Sequence, residues 1–525
     1  MKRPALPLAL LFLLAAAAPA DRATRWWDDI SAIADDSTQG RETGSPGYMK
    51  AADHVVARFK AIGLRSAGVN GFFQPVPFEQ QRIDSARSTA ALIAPDGSAT
   101  PIPPGETIVF AAGGGPRPAS VDAPLVFIGY GLHLPEQGHD DFAGVDLKGK
   151  IAVVISGGPA DIAGPVKAAN RSERATLLAK AGALGVITLT TPKQVEVPWA
   201  RSKLRAGEPG MYLVDGAGSS AAFVSASFDP AQSEMLFAGA PHHFDDLAAL
   251  ADASRPVPSF DLPLRLRATI AAERGPLTSP NLVALLPGSD ARLAKEYVVV
   301  SAHLDHLGVG GGVNGDTIYN GAMDDASGVA SVLDIAARLK QGPRPKRSIL
   351  FLIVTAEEKG LLGSTWFARH PSVPRGAIVA DLNFDMPLPL WKLKTVLVQG
   401  DGESTLGGHA RAVATAQSLA LTPDPLPDRN SFVRTDQFSF VRAGIPALAF
   451  KFGFQKGTPE FDIEHGWRAN RYHSPSDDLA QPGVLKEEAV RLDDYVAAIA
   501  AAVANDPARP QWLETSVFRR YPANR

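Results

Sequence analysis

Two uninterrupted apolar runs, Tyr297-Val298-Val299-Val300 and Ile349-Leu350-Phe351-Leu352-Ile353-Val354, constrain this chain more than any other feature. A strand with one face in water alternates apolar and polar residues. One that does not alternate is covered on both faces, as parallel strands between helices are. Helix-period patterns follow these runs: Val329, Val332, Leu333, Ala336 and Leu339 share one face, and Ala489 to Val503 forms a late amphipathic stretch. From about Pro280 the strand–helix alternation predicts an α/β fold on a doubly wound, mostly parallel sheet. The site of such a fold lies at the carboxyl ends of the strands.

Upstream the texture differs. Ser45 as N-cap, Pro46 in the first turn and Gly63 past the end predict a helix whose Ala52, Val55, Val56, Phe59 and Ile62 face packs on a sheet. Leu125 to Tyr130, Lys150 to Ile155 and Gly185 to Leu189 read as short strands between Gly-rich turns, with a helical stretch around Ala175 to Ala183. At the start, Lys2 and Arg3 precede an apolar stretch from Ala5 to Ala18, and Ala18-Pro19-Ala20 has the small residues of a cleavage site. This predicts a signal peptide, since the stretch is shorter than the roughly 20 residues of a spanning helix. The mature chain is expected to be exported, periplasmic or secreted, with no membrane association.

The 525 residues include no Cys. Disulfides, thiolate-ligated zinc, iron–sulfur clusters and thiol nucleophiles are therefore excluded, and any metal must be held by His, Asp and Glu. With 52 basic against 55 acidic residues there is no electrostatic footprint for nucleic acid, so the expected partner is small or peptide-like. The absence of a Gly-x-Ser-x-Gly elbow argues against a serine hydrolase.

Five segments place metal-type side chains where strands end or loops begin: Ser301-Ala302-His303-Leu304-Asp305, Asn320 to Gly328 with Asp324 and Asp325, Thr355-Ala356-Glu357-Glu358, Asn383-Phe384-Asp385 and Tyr472-His473. Singly, such acids are as well explained as helix-opening residues that favour the dipole. Together they matter more, because parallel strands end at one rim and bring remote residues there. Imidazoles with Asp and Glu carboxylates suit Zn²⁺. Three ligating carboxylates and one hydroxide balance two divalent cations. Adjacent Glu357 and Glu358 can divide the remaining work, one facing metal and one acting as base toward water. His306 lies as close to the first motif as His303, and spacing does not choose between them.

In these motifs the chain resembles the family of co-catalytic zinc peptidases that includes secreted bacterial aminopeptidases and is related to glutamate carboxypeptidase II and the transferrin receptor. The resemblance implies two zinc ions held by His303, Asp324, Glu358, Asp385 and His473, with Asp324 bridging both. It implies Glu357 as general base, Asp305 as the carboxylate orienting His303 from behind, and a structural or outer role for His306. Tyr472 matches a residue that stabilises the tetrahedral intermediate in some relatives. A cis bond at Asp324-Asp325 is implied as well. Arg434-Thr435-Asp436-Gln437 resembles a segment lining the substrate pocket, with Gln437 where relatives commonly carry His.

Val126 to Gly131, Asp140-Asp141-Phe142 and Asp146 to Lys150 resemble the family's protease-associated insert. The implied organisation is a signal peptide (1–20), an N-terminal part of the peptidase domain (21–115), the insert (116–270), the catalytic domain (271–507) and a tail (508–525). The expected activity is an aminopeptidase acting on peptides. Three alternatives share the scaffold: a glutamate-carboxypeptidase type with a basic pocket, for which Arg434 and Arg442 are candidates; a single-zinc glutaminyl cyclase; and a non-catalytic, receptor-like binding protein.

Overall fold

The computed structural model describes residues 19–195, 198–216 and 222–521. The expected leader falls outside them except for its last two residues, which begin the helix Pro19–Ile33. Tyr297–His303 lies inside a ten-stranded sheet, parallel to Ser348–Val354 on one side and to Ile378–Phe384 on the other. Ala447–Phe452 continues the parallel set.

These strands lack alternation because both faces are covered. Ile349, Phe351 and Ile353 join one core with the helices Pro46–Ile62, Ser327–Gln341 and Lys486–Asn505. Leu350, Leu352 and Val354 join another with Phe367 and Phe440. Emptying one such position, as in Phe351→Ala, costs about 3–5 kcal/mol.

The helix expected after Ser45 runs Pro46–Ile62; the Ser45 side chain accepts the Tyr48 N–H, and Gly63 closes the end at a φ of 80°. Its Ala52, Val55, Val56 and Phe59 are buried as expected, whereas Ile62 is only partly covered.

The sheet is mixed rather than mostly parallel. Ala272–Leu286 pairs antiparallel with both Ser348–Val354 and Phe73–Ile83, and Gly210–Leu213 adds antiparallel to Phe73–Ile83. At the other flank Thr395–Gln399 is antiparallel to Ala447–Phe452. Phe73–Ile83 mixes buried with exposed positions, the pattern of a flank strand with one wetter face.

A second, eight-stranded sheet is also mixed, with Ser120–Ile128, Ile151–Ile155, Gly185–Leu189 and Val224–Phe228 parallel at its centre. Its strands span residues 89–269, so it starts well before residue 116, and Gly210–Leu213 leaves the interval 116–270 to join the larger sheet. Thr89–Ile93 and Ile108–Phe110 are short; the first pairs locally with Ala99–Pro101 and joins the sheet through distant Ser259–Thr269, and the second joins it through Val224–Phe228. The tail is packed rather than loose: Phe518 is buried against Phe432 and Phe438. Among the described residues, no helix is long and apolar enough to cross a membrane.

Candidate metal centre

The parallel strands of the larger sheet end at one rim, and their last residues carry the polar side chains. His303 closes its strand, Glu357 and Glu358 follow Ser348–Val354, and Asp385 follows Ile378–Phe384. Asp324 sits in the turn before Ser327–Gln341, and His473 in the turn after Pro459–Asn470. Ala356, Met386 and His473 all take positive φ, a sparsely populated conformation that recurs where tertiary contacts fix a functional site. The Asp324-Asp325 bond is cis.

Two groups of donor atoms share Asp324: His303 with Asp324 and Asp385, and His306 with Asp324 and Glu358. Each Asp324 oxygen serves a different side. Oδ1 lies 3.3 Å from His303 Nε2, and Oδ2 lies 3.4 Å from His473 Nε2. His473 Nε2 is 3.2 Å from Glu358 Oε1, and His303 Nε2 is 4.0 Å from Asp385 Oδ2. His303 Nε2, Glu358 Oε1 and Asp385 Oδ1 are buried without a hydrogen-bond partner. Orphaned donors facing common points, with nitrogen and oxygen but no sulfur, suit divalent zinc. Among the described residues no other group of three His, Asp or Glu converges in this way.

The frame behind these donors differs in part from expectation. The Asp305 carboxylate accepts the Glu357 N–H at 3.0 Å, the Glu358 N–H at 3.3 Å and the Thr43 hydroxyl at 3.2 Å. It thus fixes the glutamate turn, and the backbone carbonyl of Asp305, not its carboxylate, meets His303 Nδ1 at 3.0 Å.

Three further residues were not singled out for this role by the sequence. Asp477 accepts the N–H groups of Met323 (2.9 Å) and Asp324 (3.0 Å). Asp325 accepts those of Gly328 and Met386, both at 3.0 Å, tying two ligand loops together. Arg41, fully buried, donates to the carbonyls of Leu304 (2.7 Å), Gly321 (3.0 Å) and Asn320. The only local hint of Arg41 was its position just before a strongly capped helix.

The electrostatics separate the two adjacent glutamates. Burial, reinforced by Asp385 and Glu358 against the pull of His303, pushes the Glu357 carboxyl well above the usual range. Burial acts on Glu358 too, but the imidazoles of His473 and His306 hold it well below that range. Burial pushes Asp477 up to about 7.

Tyr472 stacks on His473, with ring centroids 3.8 Å apart, and its ring meets the Arg468 guanidinium at 5.0 Å. It also lines a cavity of about 1200 Å³ between the two sheets. Arg434 lines this cavity; Arg442 is exposed elsewhere. Gln437 is buried behind the rim, where it accepts from Asn383 at 2.9 Å and donates to the Phe432 carbonyl at 2.7 Å. Its role is therefore internal bracing.

Several known proteins are similar to this chain. The chain is 29% identical over 244 residues to a probable leucine aminopeptidase 2 of Aspergillus oryzae, covering 44% of this chain and 45% of that protein. It is 26% identical to aminopeptidase YwaD of Bacillus subtilis over 45% of this chain and 47% of the relative. It is 25% identical to a probable glutamate carboxypeptidase VP8 of Zea mays over 65% and 47%. The chain thus spans about half the length of the curated relatives it matches.

Among solved structures, an aminopeptidase from Aneurinibacillus sp. strain AM-1 aligns over 93% of this chain and 95% of its own, with a TM-score of 0.52 at 21% identity. A zinc aminopeptidase from Bacillus subtilis aligns over 93% and 96%, with a TM-score of 0.50 at 21% identity. These show the shared fold. Residues 281–499 match the model of peptidase family M28, and every donor of the centre lies within them.

Proposed function

We propose that the protein is an exported, periplasmic or secreted di-zinc exopeptidase that removes N-terminal residues from peptides. The observation that carries this reading is the division of Asp324, one carboxylate oxygen toward His303 and the other toward His473. One ion would be held by His303, Asp324 and Asp385, and the other by Asp324, Glu358 and His473. When bound, the pair would polarise the scissile carbonyl and lower the pKa of water.

The chain supplies the rest. Glu357 takes the proton of the attacking water and returns it to the leaving amine, a task suited to a carboxyl raised by burial. Tyr472, stacked beside His473, offers its phenol to the oxyanion. Asp305 and Asp477 keep the glutamate turn and the bridging Asp324 in register. The smaller sheet serves as the protease-associated insert and walls the cleft, limiting substrate size.

One observation favours a second reading, a carboxypeptidase of the glutamate type. The cavity is lined by Lys167, Arg171, Lys193, Arg429, Arg434 and Arg468, against a single acid, Asp252. Such a lining suits a terminal carboxylate. A panel of aminoacyl chromogenic substrates and N-blocked peptides, run with and without chelator, separates the two. Chelator-sensitive release from free N-termini is the expected result; cleavage of blocked peptides alone would establish the carboxypeptidase.

A further inference from the structure

We infer that His306 is a sixth protein donor to the metal pair, completing the half-site of Glu358 and His473. The inference rests on the two-metal reading above and gives its two halves different chemistry.

His306 is fully buried; its Nδ1 faces the Glu358 carboxylate, and its Nε2 has no hydrogen-bond partner. A buried ring nitrogen left unpaired bears its full desolvation penalty, so an imidazole in this position calls for an occupant beside it. Its Nδ1 lies 2.9 Å from Glu358 Oε1, one of its ring nitrogens lies within 4.8 Å of the Asp324 and Glu358 donors, and its ring meets that of His473 at 5.9 Å.

The spacings match a shared ion. Donors placed ~2.0–2.1 Å from a tetrahedral zinc lie about 3.3 Å from one another, closing to about 2.9 Å at a right angle. The three contacts His473–Asp324, His473–Glu358 and His306–Glu358 measure 3.4, 3.2 and 2.9 Å.

The backbone is shaped to hold this ring. Gly321 takes a φ of 60°, and a Cβ there would stand 2.6 Å from His306 Cγ. Arg41 pins the segment from both sides: its carbonyl accepts the His306 N–H at 3.2 Å, while its guanidinium holds Leu304 and Gly321.

The Glu358 half-site then has four protein donors, Asp324, Glu358, His473 and His306, whereas the His303 half-site has three. A closed tetrahedral site is the structural type and one with an open position is the catalytic type. The His303 half-site is therefore assigned to water and substrate, and the Glu358 half-site to tight anchoring.

The test is metal binding by the full chain. Native protein dialysed against graded chelator should retain two zinc ions. His306→Ala and His306→Gln should retain one and bind the second at least tenfold more weakly, a loss typical of a disrupted metal environment. The visible spectrum of the cobalt-substituted protein should change with the substitution. X-ray absorption on native zinc protein, which needs no folded variant, should count three histidines per two ions. Two histidines per two ions, or unchanged zinc affinity in both variants, would overturn the inference while leaving the two-metal reading intact. Fewer than two ions in the native chain would overturn that reading itself.

Discussion

The larger sheet sends its central strands into His303, Glu357 and Asp385, whereas the smaller sheet sends Ile151–Ile155 and Gly185–Leu189 into Ser156-Gly157-Gly158 and Thr190-Thr191. Both are mixed sheets with parallel strands at the centre, so the difference does not come from architecture. At the larger rim, carboxylates and imidazoles are buried at the cost of desolvation and held by a dedicated frame. At the smaller rim, Ser156, Gly157, Gly158 and Thr190 line the cavity that Tyr472 shares, with Lys167 and Lys193 close by. One rim gathers carboxylates and imidazoles, and the other sets small polar residues and two lysines around the cavity.

Asp324 is the one residue common to both half-sites, so its removal has the largest expected effect. Asp324→Ala should lose both ions and reduce turnover to background, as read by metal content and assay of the folded variant. Retention of two ions would contradict a bridging role. Glu357→Gln comes next: kcat should fall by about 10²–10⁴-fold, the usual contribution of a general base, with metal content unchanged.

On the smaller rim, Lys193→Glu alters a side chain that is 82% exposed, so folding is not at issue. A few-fold rise in KM for peptides bearing carboxylates, shrinking as salt is raised, is expected there. An equal change for neutral and acidic peptides would remove the charge argument for the cleft.

The smallest effect concerns buried charge away from both rims. Asp493, on the helix Lys486–Asn505, is fully buried, and burial together with Asp334 pushes its carboxyl well above the usual range. A carboxyl raised in this way binds its proton more tightly when folded. Its stabilising contribution is present below the ordinary carboxylate range and is lost as pH rises through the folded-state value. Asp493→Asn should therefore gain in melting temperature relative to native protein as pH rises, by about 2–4 °C per kcal/mol. A difference that stays flat with pH would show that this carboxylate is compensated.

The strands Tyr297–His303 and Ser348–Val354 and the helix Pro46–Ile62 were legible because their signals are local: unbroken apolar runs, an N-cap, a proline and a glycine. The donors were legible as residue types at strand ends. What the sequence could not display were partners separated by long stretches of chain. Asp477 against Asp324, Arg41 against Leu304, and the Asp305 carboxylate against the glutamate turn are contacts with no local signature. Thr89–Ile93 has a local partner in Ala99–Pro101, but its membership of the second sheet comes from its pairing with distant Ser259–Thr269.

Composition and local pattern by themselves determined the chemistry available: no thiolates, a covered sheet, and His, Asp and Glu at the ends of its strands. Tertiary structure decided which of those groups meet. The two oxygens of Asp324 face different partners, Asp305 turns its carboxylate away from His303, and His306 enters the cluster over Gly321. The physical reason is that donor geometry at a metal is set to tenths of an ångström by packing and hydrogen bonds across the whole fold, which no spacing along one strand can encode.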